Sequence, residues 1–228
     1  MSMDFAKVKY TKRWFAHLDL LGFTAQVEDN NLDLVLAAYE DALDGLEEKA
    51  KIHKGKGISY TWFSDTFIIY SRGSSKEEFV LVEQISRLFF IKLIYRRIPV
   101  RGALTFGDLY SQKEKNIFIG KALIDSYKYG EDQDWVGLIL TPDAACEAEK
   151  HLSLKYYSEL PKGVMRNLSP DNVLAYTFDH GHTSKGNNML VNCLREMSAT
   201  VPPPVREKYE KSILFAENNN HYKKINRG

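Results

Sequence analysis

From Trp14 to Leu21 the chain is almost wholly apolar, interrupted by His17 and Asp19, and Gly22 ends the run. This reads as a buried strand that ends in a carboxylate, Asp19, with Leu-Leu-Gly-Phe-Thr turning its backbone amides toward whatever that carboxylate holds. Leu32, Val35, Leu36, Tyr39, Leu43 and Leu46 then recur at helical spacing between Asn31 and Ala50, predicting an amphipathic helix. The HKGKG segment, His53 to Gly57, breaks that pattern. The β-branched and aromatic runs Ile58 to Phe63 and Thr66 to Tyr70 predict a hairpin with Ser64 and Asp65 at its tip.

Ser75-Lys76-Glu77-Glu78 is a capping box before Phe79 to Tyr95, whose apolar residues occupy most of the helix circumference and require burial on more than one side. Pro99 stops that helix, and Val100 to Tyr110 reads as a strand with glycines where something approaches closely. A polar loop, Ser111 to Asn116, precedes a short strand, Ile117 to Gly120, that leads into a helix from Lys121 to Tyr129. Val136 to Leu140 supplies a strand before the helix start Thr141-Pro142-Asp143, and Asn172 to Phe178 a later one. The order β-α-β-β-α-β-β-α-β predicts an α+β, ferredoxin-like sandwich: a mostly antiparallel sheet with helices packed on it. Beyond the polar stretch Gly181 to Asn188, helices are expected over Met189 to Ala199 and Val205 to Glu217, separated by Val-Pro-Pro-Pro. The chain is thus expected to divide into a main α+β domain, 1–180, and a helical C-terminal extension, 181–228.

The 228 residues are 44% apolar, enough for one real core. Lys and Arg number 31 against 30 Asp and Glu, so no overall field points to nucleic acid or an anionic membrane. Cys146 and Cys193 lie far apart without zinc spacing, and neither a signal-peptide core nor a membrane-length apolar run is present. The expected location is the cytoplasm.

Asp19 and Asp65 are the residues that suggest chemistry. Aspartates at turns cap helices and form Asx turns, and paired they are also the oxygen ligand set of Mg²⁺ or Mn²⁺, which keep open positions for phosphate. Arg97 and Arg101, flanking Pro99, present planar donor forks suited to phosphate oxygens or to carbonyls.

Asp19-Leu20-Leu21-Gly22-Phe23-Thr24 resembles the first metal motif of class III nucleotidyl cyclases, and Phe63-Ser64-Asp65-Thr66-Phe67 their second metal turn. Arg101 to Gly107 is similar to the family's R-x-G strand, and Gly120-Lys121-Ala122-Leu123 to the opening of its last active-site helix. The resemblance implies that Asp19, Asp65 and the carbonyl of Leu20 hold two metal ions. It also implies that amides of Leu21, Gly22, Phe23 and Thr24 cradle the phosphates, and that a homodimer shares its active sites. The family's transition-state Asn and Arg fall on Ile124 and Lys128, so Lys128 supplies charge without an arginine fork. Where purine cyclases carry a base-reading Lys, this chain has Tyr60 and Thr61.

Within the family, the wording D-x-L-G-F, F-S-D-T, V-R-G-A-L-T-x-G and G-x-A-L-x-x-S-Y looks like that of bacterial antiphage pyrimidine cyclases. That resemblance implies synthesis of cyclic UMP or cyclic CMP from UTP or CTP, a separate effector protein that reads the product, and Tyr60 as a base-pocket residue. Two readings compete: a degenerate cyclase-like domain that binds nucleotide or a partner, and a purine cyclase. A polymerase-like palm shares the paired acids but requires a basic stripe for template that this chain lacks.

Overall fold

The computed structural model describes residues 10–28, 33, 36–37, 39–41, 43–44, 57–112, 115, 117–150, 154–179 and 188–219. Its elements are β1 (Thr11–Leu20), α1 (Phe23–Glu28), β2 (Ile58–Phe63), β3 (Thr66–Ser71), α2 (Lys76–Tyr95), β4 (Val100–Gln112) and β5 (Ile117–Ile119). They continue as α3 (Lys121–Asp132), β6 (Gly137–Leu140), α4 (Pro142–Glu149), β7 (Tyr157–Glu159), β8 (Leu174–Tyr176), α5 (Met189–Thr200) and α6 (Pro203–Asn218). The strands form one sheet in the order β2-β3-β1-β4-β6-β8-β7, with β5 paired to β4. Among the described residues every pairing is antiparallel except β4 with β6, where the chain crosses over through α3 and returns in the same direction.

The alternation of β1 decides what each face of the sheet does. Trp14, Ala16, Leu18 and Leu20 point into the main core, whereas Phe15 belongs to a smaller cluster on the other side with Tyr70, Leu109 and Ala122. His17 and Asp19 share that second face by period two. The main-core face is covered by α2, whose capping box forms as the sequence predicts: Ser75 Oγ accepts from Glu78 N, and Glu78 Oε2 accepts from Ser75 N. Phe89 of α2 lies on Phe67 of β3 at 4.1 Å between centroids, and Trp14 packs on Phe79 at 4.5 Å. Truncating such a buried ring costs about 3–5 kcal/mol.

α2 is buried around most of its circumference because α5 packs on its far side, with α6 packed on α5 in turn. Leu190, Leu194, Tyr209 and Phe215 from these helices join the same core cluster as the sheet. Ser212 Oγ accepts from Val136 N and donates to Val136 O, fixing α6 to the start of β6. Asn188 caps α5 by accepting from Leu190 N and Val191 N.

The hairpin, the Pro99 break and the helix starts at Lys121 and Pro142 stand where the sequence puts them. β4 runs two residues into the expected polar loop, because Ser111 and Gln112 find ladder partners in Phe118 and Ile117. β7 has no clear alternation of its own and exists through pairing with β8. The helix expected over 31–50, the break at 53–57 and the polar stretch at 181–188 lie mostly outside the described residues. Those described within 33–44 are helical. Among the described residues no helix is long and apolar enough to cross a membrane.

Candidate active site

Asp19 stands one residue from the end of β1, opposite Thr66 on one side and Arg101 on the other. Asp65 is in the two-residue turn between β2 and β3, where Ser64 takes a left-handed φ of 56°. That conformation costs a non-glycine residue about 1 kcal/mol. The turn is locked to β1 by Leu20 N donating to Asp65 O at 3.0 Å, and Tyr39 Oη donates to Ser64 O at 3.1 Å. β1 therefore ends against the turn, which brings the two aspartates into one electrostatic neighbourhood. Burial, with Glu131 and Asp65 nearby, pushes the Asp19 carboxyl up to about 6 even though Arg101 opposes the shift. Burial, followed by the same two aspartates, likewise raises the Tyr39 phenol.

Asp19 is 8% exposed and Arg101 7%, so their pairing is an interior one. Arg101 Nε donates to Asp19 Oδ2 at 3.0 Å, and Nη2 lies 2.9 Å from the same oxygen. Nη1 donates to the carbonyls of Glu131 and Gln133, at 2.9 and 3.2 Å, and Nη2 to Glu131 Oε2 at 2.8 Å. Every guanidinium nitrogen is thus engaged inside the chain. A triphosphate that took the Arg101 fork, as the sequence leads one to expect, would have to break an interior ion pair.

The remaining expected residues divide. Gly22 has a φ of 72°, the left-handed turn that allows the chain to reverse from β1 into α1 and sets Phe23 and Thr24 in its first turn. Leu21 N already donates to Pro99 O at 2.9 Å, so of the four amides expected to cradle a phosphate this one is engaged within the chain. Leu20 is buried with its side chain in the main core, leaving its backbone at the turn.

Tyr60 is placed away from Asp19. It pairs with Ile69, which is opposite Ala16, so its ring lies on the core face, stacked on Phe67 at 6.1 Å. Arg97 is also placed elsewhere: it closes α2 with a φ of 62°, and its guanidinium binds Glu196 of α5 and the Tyr95 carbonyl. Lys128 is exposed on α3 and lines a cleft with Lys121, Asp125 and Asp143.

Two residues outside the expected set belong to the cluster. Glu131 joins it through Arg101, and its helical spacing from Lys128 and Tyr127 could have drawn attention to it. His17, 2% exposed, has Nδ1 without a hydrogen-bond partner and lies edge-on to Tyr127 at 5.6 Å. Burial pushes the imidazole down to about 4, Arg101 adding to the shift while Glu131 and Asp65 oppose it, so it is a neutral ring at neutral pH.

The donor set at the end of β1 is oxygen only. A buried carboxylate, its pKa raised chiefly by that burial, beside a second aspartate suits a hard divalent cation. Asp19, Asp65 and the Leu20 carbonyl are the residues that would hold it.

A scan against protein families finds no match for the sequence, and a search of curated proteins finds none. Solved structures do match. The adenylyl cyclase CyaB from P. aeruginosa is similar over 74% of this chain and 94% of its own, with 12% identity and a TM-score of 0.52. The guanylate cyclase domain of RhGC from Catenaria anguillulae, in complex with GTP, is similar over 73% and 96%, with 11% identity and a TM-score of 0.53. A bacterial light-regulated adenylyl cyclase is similar over 88% of this chain and 58% of its own, with 10% identity and a TM-score of 0.54. The α+β sandwich read from the sequence is the fold of these cyclase catalytic domains.

Proposed function

We propose that the protein is a metal-dependent nucleotidyl cyclase that acts on a pyrimidine nucleoside triphosphate, UTP or CTP. The observation that carries this reading is the lock between Leu20 N and Asp65 O, which seats a second aspartate beside the carboxylate that ends β1. In the proposed reaction the 3′-hydroxyl attacks its own α-phosphorus in line, the bond to the β-phosphate oxygen breaks, and pyrophosphate leaves. Bound Mg²⁺ or Mn²⁺ would lower the hydroxyl's pKa and offset the charge on the leaving group. Asp19 and Asp65 hold the oxygen ligand positions, and the amides of Gly22, Phe23 and Thr24 face the phosphates.

A homodimer with shared sites follows from the resemblance and is supported by the surface beside the aspartates. Phe63, next to the turn, is 85% exposed, and Ile124 and Tyr127 on α3 are also exposed. Exposed apolar side chains of this kind suit an interaction face. Lys128 lies on that helix and is the candidate to supply positive charge across the interface. A role in antiphage signalling, with a separate effector reading the product, is the biological setting that the wording of the motifs suggests.

A purine cyclase is the second reading. It is favoured by the placement of Tyr60 on the core face, away from Asp19, and by the purine activities in the names of the structural neighbours. One experiment separates the two. Purified protein is incubated with Mn²⁺ and each of ATP, GTP, CTP and UTP, and products are identified by mass spectrometry, with Asp65→Ala and Tyr60→Phe variants alongside. A cyclic product from UTP or CTP alone, absent in folded Asp65→Ala, is the expected result. A product from ATP or GTP transfers the assignment to the purine reading, and persistence of product in Asp65→Ala removes the metal-site assignment. Tyr60→Phe keeps the stacking on Phe67, so a changed base preference in that variant assigns the hydroxyl to the base.

A further inference from the structure

We infer that Arg101, on β4, is a positioning residue for Asp19, anchored to the end of α3 rather than turned to the substrate; this rests on the cyclase reading and deepens it. Both of its contacts with the carboxylate reach one oxygen, Oδ2, at 2.9 and 3.0 Å, so Oδ1 carries none of the guanidinium's bonds and is the oxygen presented to a cation. A buried carboxylate held on one side by a planar fork has a fixed rotamer. Fixing a metal-ligating carboxylate by hydrogen bonds to its outer oxygen is the usual way that surrounding groups tune a metal site.

The fork itself has nowhere to go. Its other nitrogens are bound by the carbonyls of Glu131 and Gln133 and by Glu131 Oε2. These acceptors are themselves braced to the strand that bears Arg101. Gln133 Nε2 donates to Gly102 O at 3.0 Å and to Tyr129 O at 3.1 Å, and its Oε1 accepts from Trp135 Nε1 at 2.9 Å. Gln133 is 1% exposed and Trp135 fully buried, so the brace is interior. An arginine anchored this way orients its partner. A competing arrangement, in which Arg101 merely stands in for the cation and swings away when the metal arrives, would require it to give up the Glu131 carbonyl, the partly exposed Glu131 carboxylate and the Gln133 carbonyl, which Arg166 Nη2 also reaches at 3.3 Å.

The two arrangements predict opposite signs for metal affinity. The test follows the loss of the free Mn²⁺ paramagnetic resonance signal on titration with metal-free protein, with folding checked by circular dichroism. Wild type is expected to take up Mn²⁺, Asp65→Ala to lose that uptake, and Arg101→Lys to bind about tenfold more weakly because the charge survives and the fork does not. If Arg101→Lys fails to fold, the comparison moves to Glu131→Gln against Glu131→Ala. Both remove the charge, but only Gln keeps an acceptor for Nη2, so Ala is expected to bind about tenfold more weakly than Gln. Unchanged or tighter binding in Arg101→Lys, or equal binding in the two Glu131 variants, overturns the positioning role while leaving the metal site standing. No Mn²⁺ uptake by wild type overturns the metal reading itself, and this one with it.

Discussion

Arg97 shows how a residue that reads as chemistry from the sequence can be explained by the backbone. Ile98 N donates to Leu93 O and Arg97 N to Ile94 O, the paired bonds of a Schellman helix end, with Arg97 in the left-handed position that usually holds glycine. Its side chain then reaches Glu196, an exposed pair of the kind worth about 0–1 kcal/mol. Relief of the left-handed strain in Arg97→Gly is worth about 1 kcal/mol, and the two terms offset. The variant is therefore expected to melt within about 2 °C of wild type and to keep its turnover. A large loss of turnover in a folded Arg97→Gly protein would return Arg97 to the substrate site. Asp19 and Asp65 were legible in the sequence because a carboxylate in an apolar strand and a polar tip in a β-branched hairpin are local signals. Arg101 stands out in the sequence, whereas its interior ion pair does not. Its partners Glu131 and Gln133 lie about thirty residues on, and only the crossover through α3 brings them back to β4.

At the scale of elements, α3 lies against β1 through a glycine. Ala122, Ser126 and Gly130 form its buried face, and a Cβ at Gly130 would stand 2.9 Å from Nδ1 of His17. Replacing a helical glycine by alanine ordinarily stabilises by about 0.5–1 kcal/mol. Here the ring is held in a strand between two neighbours and is fully enclosed, so overpacking at about 1–3 kcal/mol wins and Gly130→Ala is expected to lower stability in denaturant titration. A more stable Gly130→Ala would show that α3 rides loosely over β1. The same closeness explains why the sequence shows α3 as a short helix after a glycine and hides its contact face: the residue that permits the contact has no side chain to announce it. β7 was hidden for a related reason, since its three residues gain strand geometry only from the ladder with β8.

At the scale of the whole molecule, the division at residue 180 separates a motif-bearing part from a tail but does not separate two cores. Phe215 packs edge-on against Trp135 at 5.3 Å, and Trp135 against Phe178 at 6.4 Å, so α6 completes the wall behind β6. We propose that the 1–180 segment carries the catalytic residues and requires the 181–228 segment to fold around them. A chain truncated after Phe178 exposes Trp135, Phe90 and the far side of α2. It is expected to be insoluble or to melt more than about 10 °C below the full chain, read by circular dichroism, because losing several buried rings and aliphatic side chains removes most of a domain's marginal stability. A truncated chain that melts with the full one would make the tail a true appendage. The sequence showed two helices here and not their burial, because an amphipathic helix looks the same whether its apolar face meets its own domain or another.

β1 is the first strand of the described chain, yet it is central in the sheet, with β3 on one edge and β4 on the other, and Thr11 pairs with Leu109. During synthesis its second edge therefore stays unpaired until nearly a hundred further residues have been made, a delay of roughly 5–20 s at ribosomal speed. Contacts this distant along the chain slow folding. The strand that ends in Asp19 is thus the first made of the described strands and waits for β4 before both its edges are paired, so the nascent chain is exposed to misassembly in the segment on which the proposed chemistry depends.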